Sequence, residues 1–241
     1  MKTTEYIAFA IDRLPKGYVF TYNDFTTEVN KKEAVIKALN RMVESGKIAK
    51  LSKGKYYKPK NTPFGNLQPS QAQVVKDLLE ENGKIIGYLT GYSIYNQLGL
   101  TTQVSNTIQI GKNQIRPNFK RERHTISFVK QKNTITKENI PLLQILDAIR
   151  YIKKIPDATI ESSCKRFSAI LKKLSKKEIS SVVRLALKYP PATRALLGGL
   201  LEQLQQVSLT GPLLKSLNPI TKYKLAGAAK AIFNSKKWNI V

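Results

Sequence analysis

NKKEAVIKALNRMVESGKIAKLSKGKYYKPK, residues 30–60, decides how the first part of the chain folds. Ala34, Val35, Ala38, Leu39, Met42 and Val43 recur at helical spacing, so one side of a helix over 31–45 is apolar. Lys31, Lys32, Lys37, Asn40 and Arg41 fall elsewhere on its surface. Such a face has to pack on something. Asn30 is placed to cap the start, Gly46 to supply a left-handed stop, and Lys47 suits the negative end of the helix. Ile48-Ala49-Lys50-Leu51 and Lys55-Tyr56-Tyr57 then read as two short strands turned by Ser52-Lys53-Gly54. A basic helix that runs into a basic hairpin is the outline of a winged helix-turn-helix.

The preceding residues complete that outline. Tyr6, Ile7, Ala10, Ile11 and Leu14 predict a first helix over 5–14, which Pro15-Lys16-Gly17 ends. Tyr18-Val19-Phe20 is a short extended piece. Thr21 with Asp24 resembles a capping box, opening a brief helix through Phe25 to about Glu28 before a turn at Val29-Asn30. In a unit of this order the third helix enters the major groove, and the hairpin rides on flanking phosphates or the minor groove. DNA contact is therefore expected from Lys31, Lys32, Lys37, Asn40 and Arg41 on the helix, and from Lys50, Lys53, Lys55 and Lys58 on the wing. Tyr56 and Tyr57 point to opposite sides of a strand, so one is expected in the core and the other free. The competing reading is a small helical domain whose lysines are a solvated face.

Asn61 to Pro69 has prolines, a glycine and asparagines without periodicity and reads as a linker. Ser70 caps an expected helix with Val74, Val75, Leu78 and Leu79 buried, ended at Asn82-Gly83. Strands are expected at 84–88, 107–110 and 125–129, and Thr90 caps a short helix through Ile94 and Leu98. Between the last two strands Lys112, Arg116, Lys120, Arg121, Arg123 and His124 form a basic loop able to hold phosphates, or merely to be solvated. From Asn139 the chain is helical, with stripes at Leu142–Ile152, Ile160–Leu174 and Ile179–Leu187. Pro190-Pro191 breaks the third helix, and further helical segments follow over 192–204 and 213–233. Gly198-Gly199 permits a close helix contact. The expected organisation is α+β and mostly helical. It comprises a winged helix-turn-helix over 1–60, a linker over 61–69, and a basic region over 70–241, of which 70–136 is α+β and 137–241 a helical bundle.

Composition narrows the function classes. The chain carries 41 Lys and Arg against 16 Asp and Glu, a formal charge of +25, far beyond what solubility requires and suited to a polyanionic partner. The last stretch, 137–241, is the most basic, with 19 cationic and 6 acidic side chains. Within it Lys165, Arg166, Lys172, Lys173, Lys176 and Lys177 crowd two helices and the turn between them. Cys164 stands alone on an apolar stripe, which excludes a disulfide framework and fits a reducing cytoplasm. Tyr6 to Ile11 is too short for a signal peptide or a membrane span. With His124 as its one histidine, and with Asp77, Glu80 and Glu81 sharing one expected helix, the chain offers neither a metal site nor a converging acid–base pair. No catalytic residues, cofactor or metal are expected.

Gly17-Tyr18-Val19-Phe20 to Lys47-Ile48, with Lys53-Gly54-Lys55-Tyr56-Tyr57, is followed by Gly87-Tyr88-Leu89-Thr90-Gly91-Tyr92-Ser93 and Asn96-Gln97-Leu98-Gly99-Leu100. Together these resemble the AbiEi-like antitoxins of bacterial abortive-infection, type IV toxin–antitoxin operons. The resemblance covers about residues 1–130 and continues only in basic, helical character from 137. It implies an N-terminal winged helix that represses the operon's own promoter, duplex DNA carrying inverted repeats. It also implies a basic C-terminal region, here with the six cations at 165–177, that counteracts a nucleotidyltransferase-type toxin without a stable complex. The alternatives are an RNA-binding accessory protein or a stand-alone transcriptional regulator.

Overall fold

The computed structural model describes residues 3–26, 32–63 and 65–241. The expected turn at Val29-Asn30, the Asn30 cap and Lys31 lie outside them. The chain is α+β, and its contacts divide it into two compact units, Met1–Leu79 with Lys120–Arg123, and Glu80–Phe119 with His124–Val241.

In the first unit α1 (Thr3–Asp12) is followed by β1 (Val19–Thr21), a 3-10 turn (Tyr22–Phe25), α2 (Lys32–Glu44), β2 (Ala49–Ser52) and β3 (Lys55–Tyr57). Thr21 and Asp24 form the expected capping box, Thr21 N donating to Asp24 Oδ2 at 2.6 Å. The sheet runs in the order β1-β3-β2, the winged-helix arrangement. Ile7, Ile11, Phe20, Phe25, Val35, Ala38, Leu39, Met42, Ile48 and Tyr56 close one core. Gly46 and Gly54 take the left-handed conformations (φ +72° and +75°) that the helix stop and the hairpin turn require.

The stretch 61–69 is not a plain linker, because β4 (Lys60–Thr62) and β5 (Gly65–Leu67) pair as a small antiparallel hairpin. The helix after Ser70 also departs from expectation. It splits into α3 (Gln71–Val74) and α4 (Lys76–Leu79), and Glu80 and Glu81 leave it altogether. Both faces of the winged sheet are consequently covered. Phe20 and Tyr56 face the core of the unit with rings 6.3 Å apart, while Val19 and Tyr57, paired on the opposite parity, are buried as well. Val19 N donates to Gln73 Oε1 at 3.0 Å. Neither tyrosine is therefore free: Tyr56 is 4% and Tyr57 3% exposed. A central strand with elements on both faces buries both parities.

The second unit starts with the two-residue strands β6 (Glu80–Glu81) and β7 (Lys84–Ile85), joined through Asn82 and Gly83 at φ 49° and 74°. Two left-handed residues between paired strands are the type I′ turn of a tight hairpin, which explains why the acidic pair is extended and not helical. β8 (Gly87–Thr90), β9 (Thr107–Lys112) and β11 (His124–Lys130) lie side by side in the order β11-β9-β8, with β9 and β11 parallel, while β10 (Phe119–Arg121) has Lys120 and Arg121 in the first unit. Thr90 leads only a 3-10 turn (Gly91–Ser93).

Helices α5 (Ile140–Arg150), α6 (Ile160–Leu171), α7 (Lys176–Ala186) and α8 (Pro191–Gln203) follow their apolar stripes. They share one core with Tyr88, Tyr95 and Leu100 of the sheet region, so the α+β and helical parts are a single packed body. Cys164 belongs to that core, and burial pushes its thiol up to about 12. The expected helix over 213–233 is broken. α9 (Val207–Lys215) ends before Asn218-Pro219, and only α10 (Ala228–Ala231) and a 3-10 turn (Ser235–Trp238) are helical beyond it. Proline stops the first piece, and Gly227 at φ 92° turns the chain into the second. This tail folds back on the expected Gly198-Gly199 contact: a Cβ on Gly198 would run into the Trp238 ring. Among the described residues no helix is long and apolar enough to cross a membrane.

Candidate nucleic-acid interface

Helix α2 buries Val35, Ala38, Leu39 and Met42, which by its 3.6-residue period leaves Lys37, Asn40, Arg41 and Glu44 as one exposed stripe. Asn40 is held from beneath. The Tyr56 hydroxyl, standing on the central strand, donates to Asn40 Oδ1 at 3.2 Å, and the amide nitrogen has no partner among the described residues. An amide fixed through its oxygen, beside a guanidinium one residue on, is a pre-oriented set of donors. Lys32 is exposed, with Nζ 4.8 Å from the centre of the Tyr22 ring.

The four wing lysines separate into two kinds. Lys50 and Lys53 are exposed on the hairpin. Lys55 Nζ instead lies 2.8 Å from Asp77 Oδ2. Lys58 Nζ donates to the carbonyls of Asp12 at 2.8 Å and Leu14 at 3.0 Å, and so satisfies groups that the end of α1 leaves open. These two cations are part of the scaffold. Asp77 also takes Arg121, whose Nη1 and Nη2 reach its two oxygens at 2.7 and 3.0 Å and whose Nη1 donates to the Val74 carbonyl. Burial alone would raise the Asp77 carboxyl, but hydrogen bonds and charge from Arg121 and Lys55 outweigh it and hold the group below its ordinary value.

The basic loop at 112–124 is likewise partly committed. Arg116 stacks over the Phe119 and Phe128 rings at 4.5 and 5.5 Å. His124 is not a surface residue: it is 9% exposed, with Nδ1 directed at the Asn106 carbonyl at 3.2 Å. Among the described residues no cluster of three His, Cys, Asp or Glu side chains is placed to hold a metal.

Of the six cations at the α6–α7 corner, two have local partners. Lys165 pairs with Glu161 at 2.7 Å, and Arg166 Nε donates to the Leu98 carbonyl at 2.6 Å. Lys172, Lys173, Lys176 and Lys177 are exposed. Lys172 and Lys173 follow the end of α6, where the helix dipole favours cations, but Lys176 and Lys177 open α7, where it disfavours them. Ser175 and Glu178 offset that with a capping box.

One polar constellation had no expectation attached to it. Asp147 lies on the buried side of α5 and accepts hydrogen bonds from Tyr88, Thr90 and Tyr189 at 2.7, 2.7 and 2.8 Å. Gln131 bridges the two tyrosine hydroxyls at 2.8 Å each. Burial raises the Asp147 carboxyl despite these donors. The signal for it in sequence is one carboxylate inside the stripe Leu142, Ile145, Leu146, Ile149.

A family model described as a family of unknown function, DUF6088, matches residues 6–179. The fold is similar to the crystal structure of the RV2827C protein from Mycobacterium tuberculosis, with a TM-score of 0.61 over 93% of this chain and 85% of that chain. The two sequences are 12% identical, so the likeness concerns fold alone. No curated protein matches the chain.

Proposed function

The chain belongs to the DUF6088 family of unknown function, and from the exposed cations of α2 and the wing, together with the resemblance to AbiEi-like antitoxins, we propose that it is a DNA-binding antitoxin that represses its own promoter. The observation that carries the reading is the exposed stripe Lys37, Asn40, Arg41 on α2, beside Lys50 and Lys53 on the wing. Helix donors set on base edges and wing cations on phosphates would supply specificity and affinity separately. The promoter would carry inverted repeats, and the second function would fall to the lysines at the α6–α7 corner, acting in the cytoplasm against a nucleotidyltransferase-type toxin.

The same reading makes the chain a binding protein and not an enzyme. Three of its candidate acid–base groups are committed elsewhere: Asp77 to two cations, Asp147 to three hydroxyls, His124 to a backbone carbonyl. The test compares the fragment of duplex DNA upstream of the gene with random duplex and with structured RNA, at about 0.15 M salt where surface electrostatics are screened as in cells. Preference for the upstream duplex supports the proposal. Equal binding to all three, or preference for RNA, overturns it.

A further inference from the structure

A cleft of about 550 Å³ opens in the second unit between the end of β11, the ends of α5 and α7, and the start of α8. Lys130, Lys132, Arg150, Lys188 and Arg194 line it, and no carboxylate does. Among the described residues none of these five cations makes an ion pair. Such a concentration of one sign repels itself, and the volume is that of a pocket for a small organic molecule.

Scaffold roles account for only part of the set. Arg150 and Lys188 stand at the ends of α5 and α7, where helix dipoles favour cations; Arg150 also stacks 5.0 Å from the Tyr151 ring centre, and Lys188 Nζ reaches the Lys132 carbonyl at 3.4 Å. Lys130 and Lys132 close a strand and have no such reason. Arg194 is the sharper anomaly. It sits in the first turn of α8, where the dipole opposes a cation, and its Nε is buried with no hydrogen-bond partner among the described residues. A buried guanidinium N–H left unpaired is costly unless something else satisfies it. The start of the 13-residue helix α8 itself favours an anion at that point.

The remaining walls are of two kinds. Tyr189 and Gln131 are locked into the Asp147 network, so that side is rigid. Leu187, Pro190 and Pro191 offer an apolar shelf, and Leu187 is 41% exposed although its position on the α7 stripe would have it buried.

We propose that this cleft binds a nucleoside polyphosphate, its phosphate chain taken by Arg194, Lys130, Lys132, Arg150 and Lys188, and its base or sugar lying on the Leu187 and Pro190-Pro191 shelf. Arg194 supplies the planar fork that matches a phosphate. The site shares no residue with α2 or the wing, so it stands whether or not these bind DNA.

The test uses the full-length chain with fluorescent N-methylanthraniloyl derivatives of ATP and GTP, and competition by inorganic tripolyphosphate, 5′-triphosphorylated oligonucleotide and 5′-hydroxyl oligonucleotide. Saturable binding is expected, lost at least tenfold in Arg194→Gln and in the exposed pair Lys130→Gln with Lys132→Gln, and unchanged in Lys37→Ala with Arg41→Ala. Tripolyphosphate should compete and the 5′-hydroxyl strand should not. Should Arg194→Gln fail to fold, the exposed pair decides alone. Absence of saturable binding, binding indifferent to these substitutions, or equal competition by the 5′-hydroxyl strand overturns the proposal. Competition confined to the triphosphorylated strand overturns it too, in favour of a nucleic-acid end.

Discussion

Asp77 joins three pieces of the first unit through single side chains: Lys55 from β3, Arg121, and the α3–α4 segment that carries it. Its carboxyl is held below its ordinary value, so its stabilising contribution is present above that value and is lost as pH falls through the lowered one. Melting curves over pH 3 to 6 should show the wild type losing stability below about pH 4, with Asp77→Asn less stable above that point and flatter across it. Parallel curves for the two proteins would contradict the account. A second residue-scale test concerns Gly198, where a methyl group would meet the Trp238 ring. Gly198→Ala should cost about 1–3 kcal/mol, as overpacking does. In a protein of this size that lowers Tm by several degrees; a melting temperature equal to or above that of the wild type would show that the tail is loosely docked.

Among the elements, the strength of the local pattern separates what the sequence revealed from what it hid. α5 to α8 each bury a long stripe that no other structure could hide, and α2 and its hairpin are set by the spacing 34–43 and by glycines 46 and 54. The hairpins β4–β5 and β6–β7 have strands of two or three residues, too short for alternation to appear, and they rest on turn geometry and neighbours. The segment 213–233 was composed like a helix, but Pro219 and Gly227 divide it. Individual lysines were harder still. Lys50, Lys53, Lys55 and Lys58 read alike, and only tertiary contacts reveal that the last two are scaffold. At the α6–α7 corner Lys172, Lys173, Lys176 and Lys177 have no such ties among the described residues, and changing all four to Gln should leave Tm nearly unchanged while abolishing protection of cells that express the cognate toxin. Full protection would reduce them to ordinary surface.

For the whole molecule the excess of cations is spread over both units, which means that loss of binding on neutralising any lysine is poor proof of a specific site. What distinguishes a reader of sequence from a basic surface is the separation of two effects. Lys37→Ala with Arg41→Ala should lower affinity for the upstream promoter DNA by about 1–3 kcal/mol per lost base contact and leave random duplex little changed. Lys50→Ala with Lys53→Ala should weaken both DNAs alike and reduce the slope of log affinity against log salt by about 1 per lost phosphate contact. The most direct measurement is therefore the binding of wild type and both double variants to promoter and random duplex across a salt series. Loss of the promoter preference only in the α2 variant, with the shallower salt slope only in the wing variant, is the predicted result; equal losses on both DNAs for both variants would contradict it.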